Sequence, residues 1–186
     1  SLLLTGRDEW GTPWWQLPFV NLRSFGDYKL PLYAFLAIPS VKIFGLTEFA
    51  VRLPNAIFGI LAIGAVYLLA NKLFSRTGPI AALLLAVSPW HIQMSRGAFE
   101  ANLATFLLPM GIFLFLESSP LISTLFLTAA AFSYHSARLI LPFILVFLFI
   151  YFRDKFRPIL LIPLIVSLMG LTSARVADVS IFSPTD

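Results

Sequence analysis

Six stretches free of Asp, Glu, Lys and Arg dominate this chain and leave it few ways to fold. They run 53–71, 77–95, 101–116, 118–137, 139–152 and 158–174. A helix needs about 20 apolar residues to cross the roughly 30 Å hydrocarbon core of a bilayer, since each residue advances about 1.5 Å. The runs of 19, 19 and 20 residues beginning at Leu53, Thr77 and Ser118 meet that length outright. The shorter ones reach it when flanking Arg and Lys snorkel to the interface, and Leu139 to Phe152 is the shortest, with 14 residues. Because the runs are continuous and do not alternate with period two, they predict helices rather than a membrane barrel. The expected fold class is all-α membrane: a polytopic helical bundle with about six transmembrane helices.

Composition agrees with lipid as the solvent. Hydrophobic residues make up 59% of the chain and charged ones 12%, about half the roughly 25% typical of soluble domains. The net charge is +4, but the bases are scattered between apolar runs and form no basic stripe with interleaved aromatics, which excludes nucleic acid as a partner. Cysteine is absent, so disulfide scaffolds and thiolate metal sites are excluded. The sequence opens at Ser1 inside an apolar stretch and reads as part of one transmembrane domain covering 1–186, an internal piece of a longer protein.

Residues 1–52 differ from the rest. Trp10, Trp14 and Trp15 suit a headgroup-level aromatic belt. The apolar segment Pro31 to Phe44 is short and interrupted by Pro39 and Lys42, which predicts an interfacial helix at about 31–44 within an extracytoplasmic loop. The transmembrane helices then occupy 53–174. Lys72 and Arg76 sit in the first tight loop, and Arg153, Lys155 and Arg157 in the loop after the fifth run. These loops lie an even number of crossings apart, so the positive-inside rule puts both in the cytoplasm. The other face collects the segment up to Arg52, then Arg96 and Glu100, His135 and Arg138, and Arg175 and Asp178. It holds all the acids except Glu117 and Asp154.

Three constellations on that face carry chemistry. Asp27 and Lys29 place a carboxylate and an ammonium two residues apart just before the interfacial helix, a pattern suited to a metal or a phosphate and equally to a solvated loop. Arg96 and Glu100 are spaced i, i+4, which suits either a pair on one helical face or a functional site at membrane depth. His135 and Arg138 put an imidazole and a fixed cation at the mouth of a span, suited to an anionic phosphate or to simple snorkelling. Glu48 and Arg52 read as a surface pair. GxGxxG, P-loop, HExxH and GxSxG patterns are all missing.

The runs Phe25-Gly26-Asp27-Tyr28-Lys29-Leu30-Pro31, Gly45-Leu46-Thr47-Glu48-Phe49-Ala50-Val51-Arg52-Leu53-Pro54 and Ser95-Arg96-Gly97-Ala98-Phe99-Glu100-Ala101-Asn102 resemble the GT-C glycosyltransferases. The likeness is to the bacterial branch related to protein O-mannosyltransferases and lipid A aminoarabinose transferases, and it covers nearly the whole chain. It implies a multi-pass enzyme of the cell (plasma) membrane that takes a sugar from a polyprenyl-phosphate carrier and delivers it to a lipid, glycan or protein acceptor on the extracytoplasmic face. It implies catalytic roles for Glu100 and Asp27 and donor-phosphate binding by Lys29, Arg96, His135 and Arg138. A divalent metal ion held by Asp27 and Glu100 is the one cofactor it admits. The family's catalytic Asp-Glu pair is expected upstream of Ser1, and Asp8-Glu9 falls at the wrong place to replace it. Leu30 departs from the family's Lys-Pro-Pro, and no Lys stands near His135 where the family often has one. A non-enzymatic transporter or scaffold is the alternative, although transporters place their charges near the bilayer midplane rather than at span ends.

Overall fold

The computed structural model describes residues 22–24, 27–29 and 32–170, the first two segments by their backbone alone. The Trp10–Trp15 cluster, Asp8-Glu9, Arg175 and Asp178 lie outside them. Strands β1 (Leu22–Ser24) and β2 (Asp27–Lys29) form an antiparallel hairpin with Ser24 opposite Asp27 and Leu22 opposite Lys29. Asp27 and Lys29 therefore sit on a strand within the segment expected as an extracytoplasmic loop. Helices follow: α1 (Leu32–Phe44), α2 (Glu48–Leu73), α3 (Gly78–Ala86), α4 (Pro89–Arg96), α5 (Glu100–Leu116), α6 (Pro120–Ala131), α7 (His135–Tyr151) and α8 (Pro158–Gly170).

The 26 residues of α2 extend about 39 Å, enough to cross a bilayer with some tilt. Among the described residues it is the one helix long and apolar enough to do so alone; α4 and α5 pass the same test jointly but are bent by 118°. Helix length and apolarity alone thus do not establish the six expected spans. Proline explains much of the difference. The 77–95 run breaks because Pro89 drives Ser88 out of the helical region, to φ −64°, ψ 120°. The 118–137 run holds only the 12 residues of α6: Pro120 sets its first turn, and it ends at Ala131, before α7 begins at His135. The expected interfacial segment is the 13-residue helix α1, which reaches only about 20 Å.

Prolines inside helices free backbone carbonyls four residues earlier, and serines from neighbouring helices take them. Pro54 in α2 provides no N–H for Ala50 O, which accepts instead from Ser40 Oγ of α1 at 2.6 Å. Pro142 in α7 does the same for Arg138 O, which accepts from Ser167 Oγ of α8. Tyr33 Oη donates to Val51 O at 2.7 Å, a second tie from α1 to the start of α2. Burial pushes its phenol up to about 12, the Asn55 backbone N–H opposing this only in part, so Tyr33 stays a neutral donor. Gly45, at φ +73°, makes the left-handed turn between the two helices, and Thr47 Oγ1 caps α2 by accepting from Ala50 N–H.

Two apolar clusters hold the bundle. Ala62 and Ala65 of α2 meet Leu103 and Phe106 of α5 and Ala130 of α6. Phe115, Leu127, Leu141, Leu145 and Leu160 join α5 through α8. Small residues bring helix backbones close, as in membrane bundles; a Cβ on Gly111 would stand 2.7 Å from Leu127 Cδ2. The outer surface is apolar: Ile60, Leu84, Leu121, Leu125, Phe143 and Ile150 are each more than 60% exposed. Buried polar side chains sit inside while large hydrophobics face out, the inversion that lipid permits and water penalises.

The helices run so that charge gathers at two ends. Lys72 Nζ lies 2.7 Å from Glu117 Oε1, and Lys155 Nζ donates to Leu116 O at 2.6 Å. The ends of α2 and α5 therefore meet with the turn after α7, as the crossing parity predicts. At the opposite end stand the beginnings of α2, α5 and α7, with Glu48, Arg52, Glu100 and His135.

Candidate functional site

The first half of α2 and the length of α4 enclose a groove of about 570 Å³. Its mouth carries Glu48, Arg52 and Arg96, and its walls below are Leu53, Ile60, Ile63 and Ile92. Arg52 and Glu48 form an i, i+4 ion pair in the first turns of α2. That pair is exposed and adds little stability, but it holds one guanidinium at the mouth beside Arg96. Glu48 also sits where the α2 dipole favours a carboxylate.

The floor depends on Gly59. A Cβ there would fall 2.6 Å from Ser95 Oγ, so only glycine lets α4 lie this close. His91, 2% exposed, places Nε2 3.1 Å from Gly59 O. A carbonyl only accepts, so Nε2 carries the proton, and in the neutral ring Nδ1 is an acceptor. Nδ1 is buried with no partner among the described residues.

A buried amide clasp orients α4 on α2. Asn55, wholly buried, donates through Nδ2 to Met94 O at 2.7 Å and to Gly97 O at 2.5 Å. These carbonyls belong to the C-terminal end of α4, where helical partners run out. Asn102 Nδ2 donates back to Asn55 Oδ1 and to Asn55 O, both at 3.0 Å. The two asparagines therefore fix the bend between α4 and α5, and with it the position of Arg96 and the start of α5.

Of the four sequence-expected residues whose side chains are described, Arg96, Glu100, His135 and Arg138, only Arg96 lines the groove. It does not share a helical face with Glu100: α4 ends at Arg96 and α5 begins at Glu100 after the 118° bend. Glu100 opens α5 at the N-terminal end of the helix dipole, two residues before Asn102 of the clasp. Asp27 and Lys29 are on β2. Four residues separate Lys29 from Tyr33, so their Cα atoms are at most about 14 Å apart, and Tyr33 is bonded to the start of α2. His135 is the first residue of α7. Arg138 follows it and is 1% exposed, its Nε–H donating to Ala131 O at 2.8 Å and Nη1 to Gly170 O at 3.4 Å. The guanidinium expected at an open mouth is largely consumed in joining α6, α7 and α8, with Nη2 the one nitrogen lacking a partner among the described residues. His135 and Arg138 share the end of the bundle that carries the groove, but both are on α7 and neither lines it.

Arg52 and Asn55 were not legible as parts of a site; His91 lies in the same polar stretch, 90–102, as Arg96 and Glu100. Arg52 reads as half of a surface pair, and a survey of charges passes over Asn55, a neutral amide inside an otherwise apolar run. A strongly polar side chain at spanning depth is the signal that marks Asn55. Among the described residues no three His, Asp or Glu side chains cluster as metal ligands would.

A family model described as dolichyl-phosphate-mannose-protein mannosyltransferase matches residues 29–175, well over half of the chain. No curated protein and no solved structure matches it.

Proposed function

Because the chain belongs to the dolichyl-phosphate-mannose-protein mannosyltransferase family, membrane-integral glycosyltransferases of the GT-C type, we propose that it serves a transferase that moves a sugar from a polyprenyl-phosphate carrier. The sugar goes to a lipid, glycan or protein acceptor at the extracytoplasmic face of the plasma membrane. The observation that carries this reading is the groove, with two guanidinium groups at its mouth and apolar walls beneath. A polyprenyl phosphate has that same division, an anionic head on a hydrocarbon tail.

The chemistry follows from the charges. In transfer, the bond between the sugar C1 and the carrier phosphate oxygen breaks, and the acceptor oxygen bonds to C1. The departing phosphate gains negative charge, which fixed cations aimed at it stabilise. Arg96 and Arg52, which line the mouth, would do this, and the resemblance adds Lys29 as a further cation. Guanidinium groups pair with phosphate oxygens two at a time, so they also set its orientation. The acceptor hydroxyl yields its proton to a carboxylate, a role the resemblance gives to an acid pair upstream of Ser1. Glu100 then positions the sugar or the acceptor. His135 stands at the same end of the bundle, at the start of α7, which Arg138 ties to α6 and α8. A divalent ion held by Asp27 and Glu100 would add positive charge beside the phosphate.

The test uses the full-length protein in membranes and a radiolabelled polyprenyl-phosphate sugar. Transfer of label to endogenous acceptor, unaffected by added nucleotide-sugar and lowered at least tenfold by Arg96→Ala, is the expected result. Label accepted only from a nucleotide-sugar would overturn the reading.

A further inference from the structure

The opposite end of the bundle has a groove of its own, and the catalytic reading does not use it. It is about 370 Å³, exposes no polar surface, and runs between the end of α2 (Leu69, Leu73), the end of α5 (Ile112, Leu116) and the second half of α7 with its cap, from Phe143 to Phe152. We propose that it binds an anionic phospholipid, one acyl chain lying along α7 and the phosphate resting against Lys72 and Lys155.

Length is the first support. Phe143 to Phe152 on α7 spans about 14 Å, close to half of the roughly 30 Å hydrocarbon core. The groove therefore runs from one rim of the membrane to about its middle, the reach of a chain from one leaflet. Phe143 and Phe147, 76% and 53% exposed, flank it as side walls that no described residue covers.

Charge is the second support and selects the headgroup. Three lining residues each adjoin a charged one: Leu73 follows Lys72, Leu116 precedes Glu117, and Phe152 precedes Arg153. Lys72 is held over this end by Glu117, and Lys155 by the Leu116 carbonyl. An ammonium has three N–H donors, so both lysines keep donors for a phosphate after these bonds. The turns at this end, after α2, α5 and α7, hold Lys72, Arg76, Arg153, Lys155 and Arg157 against two acids, Glu117 and Asp154. That excess disfavours the cation of a choline headgroup and suits a leaflet rich in anionic lipid, which basic pockets between membrane helices select.

The experiment compares phosphatidylglycerol with phosphatidylcholine of identical acyl chains, titrated onto the delipidated full-length protein in detergent. Bound lipid is read by native mass spectrometry. Phosphatidylglycerol should bind about tenfold more tightly, and Lys72→Gln with Lys155→Gln should remove the preference. A groove-filling Ile112→Trp should reduce binding of both lipids while the charges stay. A photo-crosslinking residue in place of Phe147 guards against a folding artefact in these variants. A phospholipid adduct supports the site; an adduct to another segment of the protein shows that the groove belongs to a helix contact and overturns the proposal, as does equal binding of the two lipids. Sugar transfer is not a readout here, so failure of the lipid site and failure of the transferase reading are separable.

Discussion

Replacing Asn55 by Leu tests whether the amide clasp holds α4, and Arg96 with it, in place. The substitution removes the donor to Met94 O and Gly97 O and the Oδ1 acceptor of Asn102 Nδ2. Asn102 Nδ2 retains the Asn55 backbone carbonyl, so the loss falls mainly on the two carbonyls at the end of α4. An orphaned buried polar group costs about 1–3 kcal/mol, whereas interhelical hydrogen bonds in membranes average about 0.6 kcal/mol because the unfolded chain also finds partners. Taking both into account, the cost should be roughly 2–4 kcal/mol, or a fall in melting temperature of very roughly 5–15 °C by the scaling for domains of this size. The assay is thermal unfolding of the full-length protein in detergent, run beside Thr128→Val. The Thr128 hydroxyl is buried with no partner among the described residues, so removing it should be neutral or stabilising. KM for the lipid-linked donor should rise in Asn55→Leu even at temperatures where the protein stays folded, because Arg96 is no longer oriented. Melting within a degree of the parent, with KM unchanged, would refute the idea that this clasp positions the groove.

Arg52→Ala should raise KM for the donor about tenfold, the equivalent of about 1.4 kcal/mol, while leaving the melting temperature nearly unmoved, since the exposed pair with Glu48 adds little stability; steady-state kinetics check both. Gly59→Val should cost about 1–3 kcal/mol by forcing α4 off α2, because its Cβ would stand 2.6 Å from Ser95 Oγ, and denaturation would show it. Ser40→Ala should cost about 1 kcal/mol by orphaning the carbonyl that Pro54 frees. In a Pro54→Ala background, where the helix supplies its own N–H to Ala50 O, most of that cost should vanish, and a double-mutant cycle measures the coupling.

Much of this protein is written one helix at a time. Apolar run lengths determine that the chain is helical and lipid-facing, and the parity of Lys72 and Lys155 determines that they share an end, as the bonds around Glu117 and Leu116 show. Motif likeness determines the family. These signals are local, or they count crossings, and neither kind needs to know which helix touches which. The break at Pro89 was also a local signal, but a survey of charges passes over prolines. Tertiary packing alone decided the rest. Asn55 and Asn102 meet across 47 positions, Arg138 turns inward to carbonyls of α6 and α8, and Arg52 joins Arg96 because Gly59 lets α4 close on α2. A neutral amide or a guanidinium in a membrane protein takes whatever partner the packed helices bring within about 3 Å, and that neighbour is set by the approach of backbones, which no pattern within a single helix encodes.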